Sequence, residues 1–193
     1  MLKRLYQYIL SWANTPYGAL ALFILAFIES SFFPIPPDIL LIALCLSIPA
    51  KSFKYALICA AGSTIGGCFG YLIGMKFMSA VGVKIIEFYH IADQFEYIRE
   101  LYSRYDAWAV GIAGFTPIPY KVFTITAGVF NIDFKVFLFA SLISRGLRFF
   151  LVGWLIFAMG EKIKPFIDKY FNTLAVIFVI LLILGFALIK FIL

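Results

Sequence analysis

Charge is scarce in this chain. Asp, Glu, Lys and Arg make up 13% of its 193 residues, against about 25% in soluble domains. Histidine is scarcer still, with His90 the single one. It lies in the polar middle of the chain, where a solvated side chain is the ordinary reading. Without paired histidines, or a nucleophile beside a positioned general base, the chain lacks the usual equipment of a lipid phosphatase, and no enzyme is expected. Cysteine is limited to Cys45, Cys59 and Cys68. All three lie inside apolar stretches at spacings that fit no metal site, and an odd number argues against a disulfide framework. Neither a cofactor nor a metal is expected.

Apolar residues fill the space that charge leaves. Hydrophobic side chains account for 64% of the sequence and mean hydropathy is +1.01, which places the chain among integral membrane proteins, one domain by length. The basic excess, 16 Lys and Arg over 10 Asp and Glu, suits cytoplasmic loops and anionic lipid. No nucleic-acid partner is expected.

Two proline breaks organise the apolar runs: Phe32-Phe33-Pro34-Ile35-Pro36-Pro37-Asp38 and Phe115-Thr116-Pro117-Ile118-Pro119-Tyr120-Lys121. Paired breaks in two halves of a hydrophobic chain point to discontinuous helices around a transport site. Residues 17–50 carry the first break. Prolines 34, 36 and 37 lack an N–H and restrict their predecessors, and the arm after them is shorter than the ~20 residues a spanning helix needs. The spacing predicts a re-entrant hairpin, tolerated at membrane depth only where protein or a water-filled cavity covers it. Residues 107–131, broken by Pro117 and Pro119, predict a second such hairpin.

The rest reads as scaffold. Residues 1–14 set Lys3 and Arg4 among Leu2, Leu5, Ile9 and Trp12, as in a helix lying on the interface. Residues 55–74 predict a transmembrane helix whose Gly62, Gly66, Gly70 and Gly74 permit close helix approach. Residues 76–106 form a polar amphipathic segment, and 134–159 and 171–193 predict two further spans. This topology puts the N-terminus on the side of Lys51, Lys54, Lys162, Lys164 and Lys169, which positive-inside logic makes cytoplasmic.

Five charges fall inside apolar segments: Glu29, Asp38, Lys121, Arg145 and Arg148. Each costs roughly 2.5–3.5 kcal/mol at bilayer depth on insertion scales, so they are expected to face one another or water. Arg145 and Arg148, three apart on a helix, share a face. With Lys121 they are the candidate phosphate-binding residues, because guanidinium forks match phosphate oxygens and lysine adds a point charge. Carboxyl groups withdrawn from water hold protons more readily, which makes Glu29 and Asp38 the candidate proton-coupling residues. The alternative is that these charges are structural ion pairs, such as Asp38–Arg148, joining the hairpins. Ser30, Ser31, Thr116, Thr124 and Thr126 are read first as partners for backbone groups freed at the breaks.

These residues resemble a known family. Glu29 with Phe33–Asp38, then Gly62…Gly66…Gly70-Tyr71…Gly74, then Gly114–Lys121, are similar to the DedA superfamily, also called the VTT or SNARE-associated membrane domain. Phe115–Gly128 with Ser144-Arg145-Gly146-Leu147-Arg148-Phe149-Phe150 resembles its YqaA branch. The resemblance covers about residues 17–160. It implies an all-α integral membrane protein in which two opposed re-entrant helical hairpins form an inverted repeat, with about three transmembrane helices and amphipathic interfacial helices. It also implies a transporter or scramblase of the bacterial inner membrane that moves a phosphate-headed lipid, a phospholipid or undecaprenyl phosphate, with proton coupling. Glu29 and Asp38 match the family's acidic residues, and Lys121 stands near the second arginine of its Arg-x-x-Pro-x-x-Arg pattern. Gly114 occupies the place of the first arginine, and Arg145 and Arg148 are the candidates to supply that charge from the next helix. A transporter of a small anion or metabolite, a non-transporting assembly factor and a homo-oligomer remain open readings of the same residues.

Overall fold

A computed structural model describes residues 17–32, 36–90, 92–116 and 119–159. The expected interfacial helix at 1–14, the expected span at 171–193, and Pro34 and Pro117 lie outside the described residues. The described residues contain no strand. They form α1 (Gly18–Ser31), α2 (Asp38–Ser47), a 3-10 turn (Pro49–Lys51), α3 (Ser52–Phe77), a π turn (Met78–Gly82), α4 (Val83–Tyr89), α5 (Ala92–Phe115), α6 (Tyr120–Val129) and α7 (Phe134–Met159).

Two helical stretches among the described residues are long and apolar enough to cross a membrane. Pro49–Tyr89 has 41 residues and contains an 18-residue window of mean hydropathy 1.7, and Phe134–Met159 has 26 residues with such a window at 1.6. The second begins at Phe134, as expected from sequence, and is described as far as Met159. The first is longer than expected, because Gly74 does not end it. Gly74 is buried, and a Cβ there would collide with the Ile125 carbonyl of α6, so it serves packing and not termination. The helix stops at His90, which is exposed and takes a left-handed backbone with φ 53°. Histidine is among the residues enriched several-fold in that region.

A second boundary also differs. The division placed between residues 106 and 107 is absent, since α5 runs unbroken from Ala92 to Phe115. The change from polar to apolar composition there marks a change of surroundings, while the helix satisfies its backbone groups internally on both sides. The short elements beside the breaks are different in kind. With 14, 10 and 10 residues, α1, α2 and α6 are roughly 21, 15 and 15 Å long, against a hydrocarbon core of ~30 Å.

The central strut is α3, which packs on α1, α6 and α7. Its glycine stripe divides between two partners. Gly62 and Gly66 lie against the backbone of Phe23 and Phe27 in α1, while Gly70 and Gly74 lie against Thr124 and Ile125 in α6. A Cβ at Gly66 would run into the Phe27 carbonyl, so the backbones approach closely enough to bring the short helices together. Two apolar cores result. One joins Leu22, Leu41, Leu44, Cys59 and Phe149. The other joins Tyr71, Val110, Ala113, Tyr120 and Phe137. Along α3 and α7, the residues between these cores include Ser63, Arg145 and Arg148, and the polar cluster lies there.

Candidate functional site

The cluster is built from both breaks and α7. Glu29 and Ser30 close α1. The chain then passes Pro36 and a buried Pro37, and α2 begins at Asp38. Proline cannot continue the preceding helix, and a carboxylate in the first turn of the next one complements its dipole. At the second break α5 ends at Phe115, and α6 begins at Tyr120 directly after Pro119. Lys121 therefore stands in the first turn of α6, where the helix dipole already places positive charge.

Arg145 is 2% exposed. Its Nη2 donates to Glu29 Oε2 at 2.8 Å and its Nε donates to the Ser63 hydroxyl. Ser30 Oγ donates to the same Glu29 oxygen at 2.9 Å and lies 2.7 Å from Ser63 Oγ. The guanidinium is also covered by aromatic faces, with the Tyr120 and Phe149 centroids 4.8 and 4.7 Å away. Such cation–π contacts reach about 2 kcal/mol when desolvated. Arg145 is thus buried, with partners at Nε and Nη2 and aromatic faces beside its guanidinium.

Arg148 is arranged differently. Its Nη2 donates to both Asp38 oxygens at 3.0 and 2.9 Å, and its Nη1 donates to the Thr116 carbonyl at 2.7 Å. Asp38 follows the first proline break and Thr116 precedes the second, so one guanidinium ties the two together. The side chains of Arg148 and Asp38 keep 14% and 18% exposure, and Glu29 keeps 16%.

The expected basic cluster is therefore split. The structure brings Arg145 to Glu29 and Arg148 to Asp38, and it leaves Lys121 without a carboxylate within 4 Å among the described residues. Lys121 is partly buried and within electrostatic reach of Glu29. Ser31, Thr116, Thr124 and Thr126 donate to carbonyls within intact helices, and the bond of the expected kind is that of Thr124 to the Ser30 carbonyl beside the first break at 3.2 Å, joining α6 to α1. Ser30 departs from expectation by bonding side chains. Three members of the cluster were not anticipated. Ser63 was masked by its place beside Gly62 in a small-residue stripe, and Tyr120 and Phe149 read as ordinary apolar residues. A polar residue at the middle of a spanning helix, and aromatics adjacent in sequence to buried cations, were the available signals. Among the described residues no group of three His, Cys, Asp or Glu could hold a metal ion.

The VTT domain family matches residues 35–157, most of the chain and all of this site except Glu29 and Ser30. The chain belongs to the VTT-domain (DedA) family. This VTT-domain protein is 33% identical over 186 residues to an uncharacterized protein of Haemophilus influenzae, with 96% of each chain covered. It is 34% identical to an uncharacterized protein of Histophilus somni, covering 82% of each chain. An uncharacterized protein of Methanocaldococcus jannaschii is 28% identical over 79% of this chain and 86% of its own. No solved structure matches. Family membership and the two apolar helices together make it a membrane protein.

Proposed function

We propose that this protein moves a phosphate-headed lipid, a phospholipid or a polyprenyl phosphate such as undecaprenyl phosphate, across the bacterial inner membrane, with proton coupling. In this reading the two broken segments are opposed re-entrant hairpins, the N-terminus is cytoplasmic, and the protein belongs to the YqaA branch. The observation that carries the proposal is the unmatched charge. Two acids and three bases lie inside apolar segments, two pairs form, and Lys121 remains at the positive end of α6. Its position runs against the helix dipole, a cost that a bound anion would offset.

The reachable part of the phosphate site is then Lys121 with Arg148, while Arg145 fixes Glu29. Carboxylate and phosphate compete for the same guanidinium fork. A proton on Asp38 weakens its hold on Arg148 and frees that fork for the headgroup. Loss of that proton and departure of the headgroup reverse the exchange, while a proton on Glu29 removes the negative charge nearest Lys121 and strengthens its pull on an anion. The lipid tails stay in the bilayer throughout, so no sealed channel for a whole lipid is required.

The test is reconstitution in liposomes with labelled phosphatidylglycerol, a labelled polyprenyl phosphate and a soluble organic phosphate, across an imposed pH gradient. Wild-type protein moves at least one lipid and Arg148→Ala, present at the same level, does not. Flux of the soluble solute without lipid movement would transfer the reading to an anion carrier, and unchanged lipid movement by Arg148→Ala would remove the assigned role.

A further inference from the structure

Away from the ion pairs, a groove of about 610 Å³ runs between α5 and α7. Its floor and walls are apolar. Along α7 it follows Lys135, Phe139, Ile143 and Leu147, one turn apart, and on α5 it is lined by Trp108 and Gly111. From Lys135 to Leu147 the rise is roughly 18 Å, close to one leaflet of a hydrocarbon core of ~30 Å. The polar end is the start of α7, where Asp133 Oδ1 accepts from the Lys135 and Val136 amides. That end therefore lies at the membrane edge, and the groove descends from there to the level of Ser144, next in sequence to buried Arg145.

We propose that this groove holds one acyl chain of an anionic phospholipid whose phosphate meets Lys135. Three observations select that occupant. The groove's length is that of a single leaflet. Its single basic residue stands at the membrane edge, exposed and with no carboxylate within 4 Å among the described residues. Its floor contains a glycine, Gly111, at which an added Cβ would meet nothing within 4 Å. Neighbouring Gly114 on the same helix is closed by Ser144, so the helices separate at Gly111 and meet at Gly114. An acyl chain fills such a slot without leaving a polar group unpaired. The inference rests on the lipid reading above and adds a resting place for the tail beside the headgroup site.

The slot gives a direct test. Phosphatidylglycerol with a diazirine at mid-chain is added at low mole fraction to the purified chain in detergent, irradiated, and the labelled peptides are mapped. Label concentrated on 107–115 and 135–147 is the expected result. Gly111→Phe fills the slot and lowers that label about tenfold, the equivalent of two or so buried methylenes. Gly146→Phe projects into open space elsewhere on α7 and leaves it unchanged. Lys135→Ala lowers labelling by phosphatidylglycerol and spares labelling by a diazirine diacylglycerol. Even labelling around the exposed α7 face at Leu142, Leu151 and Trp154 would overturn the proposal, as would protection of the groove by the chain's own residues 160–193 or by a second copy. Because labelling needs no transport, label with failed translocation keeps the groove and sinks the transport reading. Translocation that survives in Gly111→Phe, with no label in wild type, does the reverse.

Discussion

Asp38 and Thr116 are held by one guanidinium. Arg148 donates to both carboxylate oxygens of Asp38 and, from its other side, to the Thr116 carbonyl at 2.7 Å. Thr116 lies at the end of α5, where helix carbonyls lack intrahelical partners, and Asp38 stands in the first turn of α2, where a carboxylate complements the helix dipole. The contact is a latch between two chain breaks, made of parts that a proton can weaken.

A double-mutant cycle measures that latch. Asp38→Asn and Arg148→Gln are each expected to destabilise the detergent-solubilised protein, and together to cost less than their sum. A coupling of about 0.5–3 kcal/mol is the range for contacting residues, discounted toward its lower end because both side chains keep some exposure. Thermal unfolding monitored by circular dichroism reads it, and additive losses would show that the contact carries no energy.

The Arg145 site behaves as a unit. Arg145→Met leaves Glu29 and buried Ser63 without the guanidinium, and the loss lies toward or below the low end of the ~3–5 kcal/mol typical of a broken buried pair, because Glu29 keeps 16% exposure. Arg145→Lys keeps the charge but loses the planar group that lies between Tyr120 and Phe149, so it recovers only part of the loss. Glu29→Gln combined with Arg145→Met recovers more than Arg145→Lys. Melting temperatures of the four proteins check the order.

How much of this was legible in sequence differs from residue to residue. The start of α7 follows from the apolar run that opens at Phe134, and the five charges inside apolar segments stand out because each conflicts with its neighbours. The Asp38–Arg148 pair is among the alternatives the sequence leaves open, but the two lie 110 positions apart, and only the fold decides which arginine meets which acid. Ser63 shows the same limit, because one hydroxyl in a glycine-rich helix looks like packing until the guanidinium arrives from α7. The boundaries at Gly74 and residue 106 were misplaced for a physical reason. Composition reports the surrounding solvent, whereas a helix continues as long as its backbone hydrogen bonds do, and between Ser52 and Phe115 the described residues leave the helix at His90.

Gly114 separates this chain from the arginine pattern it otherwise approaches. A Cβ there would collide with the Ser144 hydroxyl, and the Arg145 stem lies 3.6 Å away. Gly114→Ala is therefore expected to cost about 1–3 kcal/mol by overpacking, and Ser144→Gly in the same chain to return part of it. Gly146→Ala, with open space around it, is expected to be neutral or to gain up to about 1 kcal/mol from helix propensity. Equal effects at the two glycines would contradict the packing described for α5 on α7.

The sharpest test concerns Lys121. It has no carboxylate partner to strand, so Lys121→Gln leaves the melting temperature near that of the wild type. In proteoliposomes the same substitution should slow translocation of a phosphate-headed lipid about 10- to 100-fold, the equivalent of one charge-assisted hydrogen bond of about 1.5–3 kcal/mol. Lipid translocation at the wild-type rate by a folded Lys121→Gln protein would contradict the account.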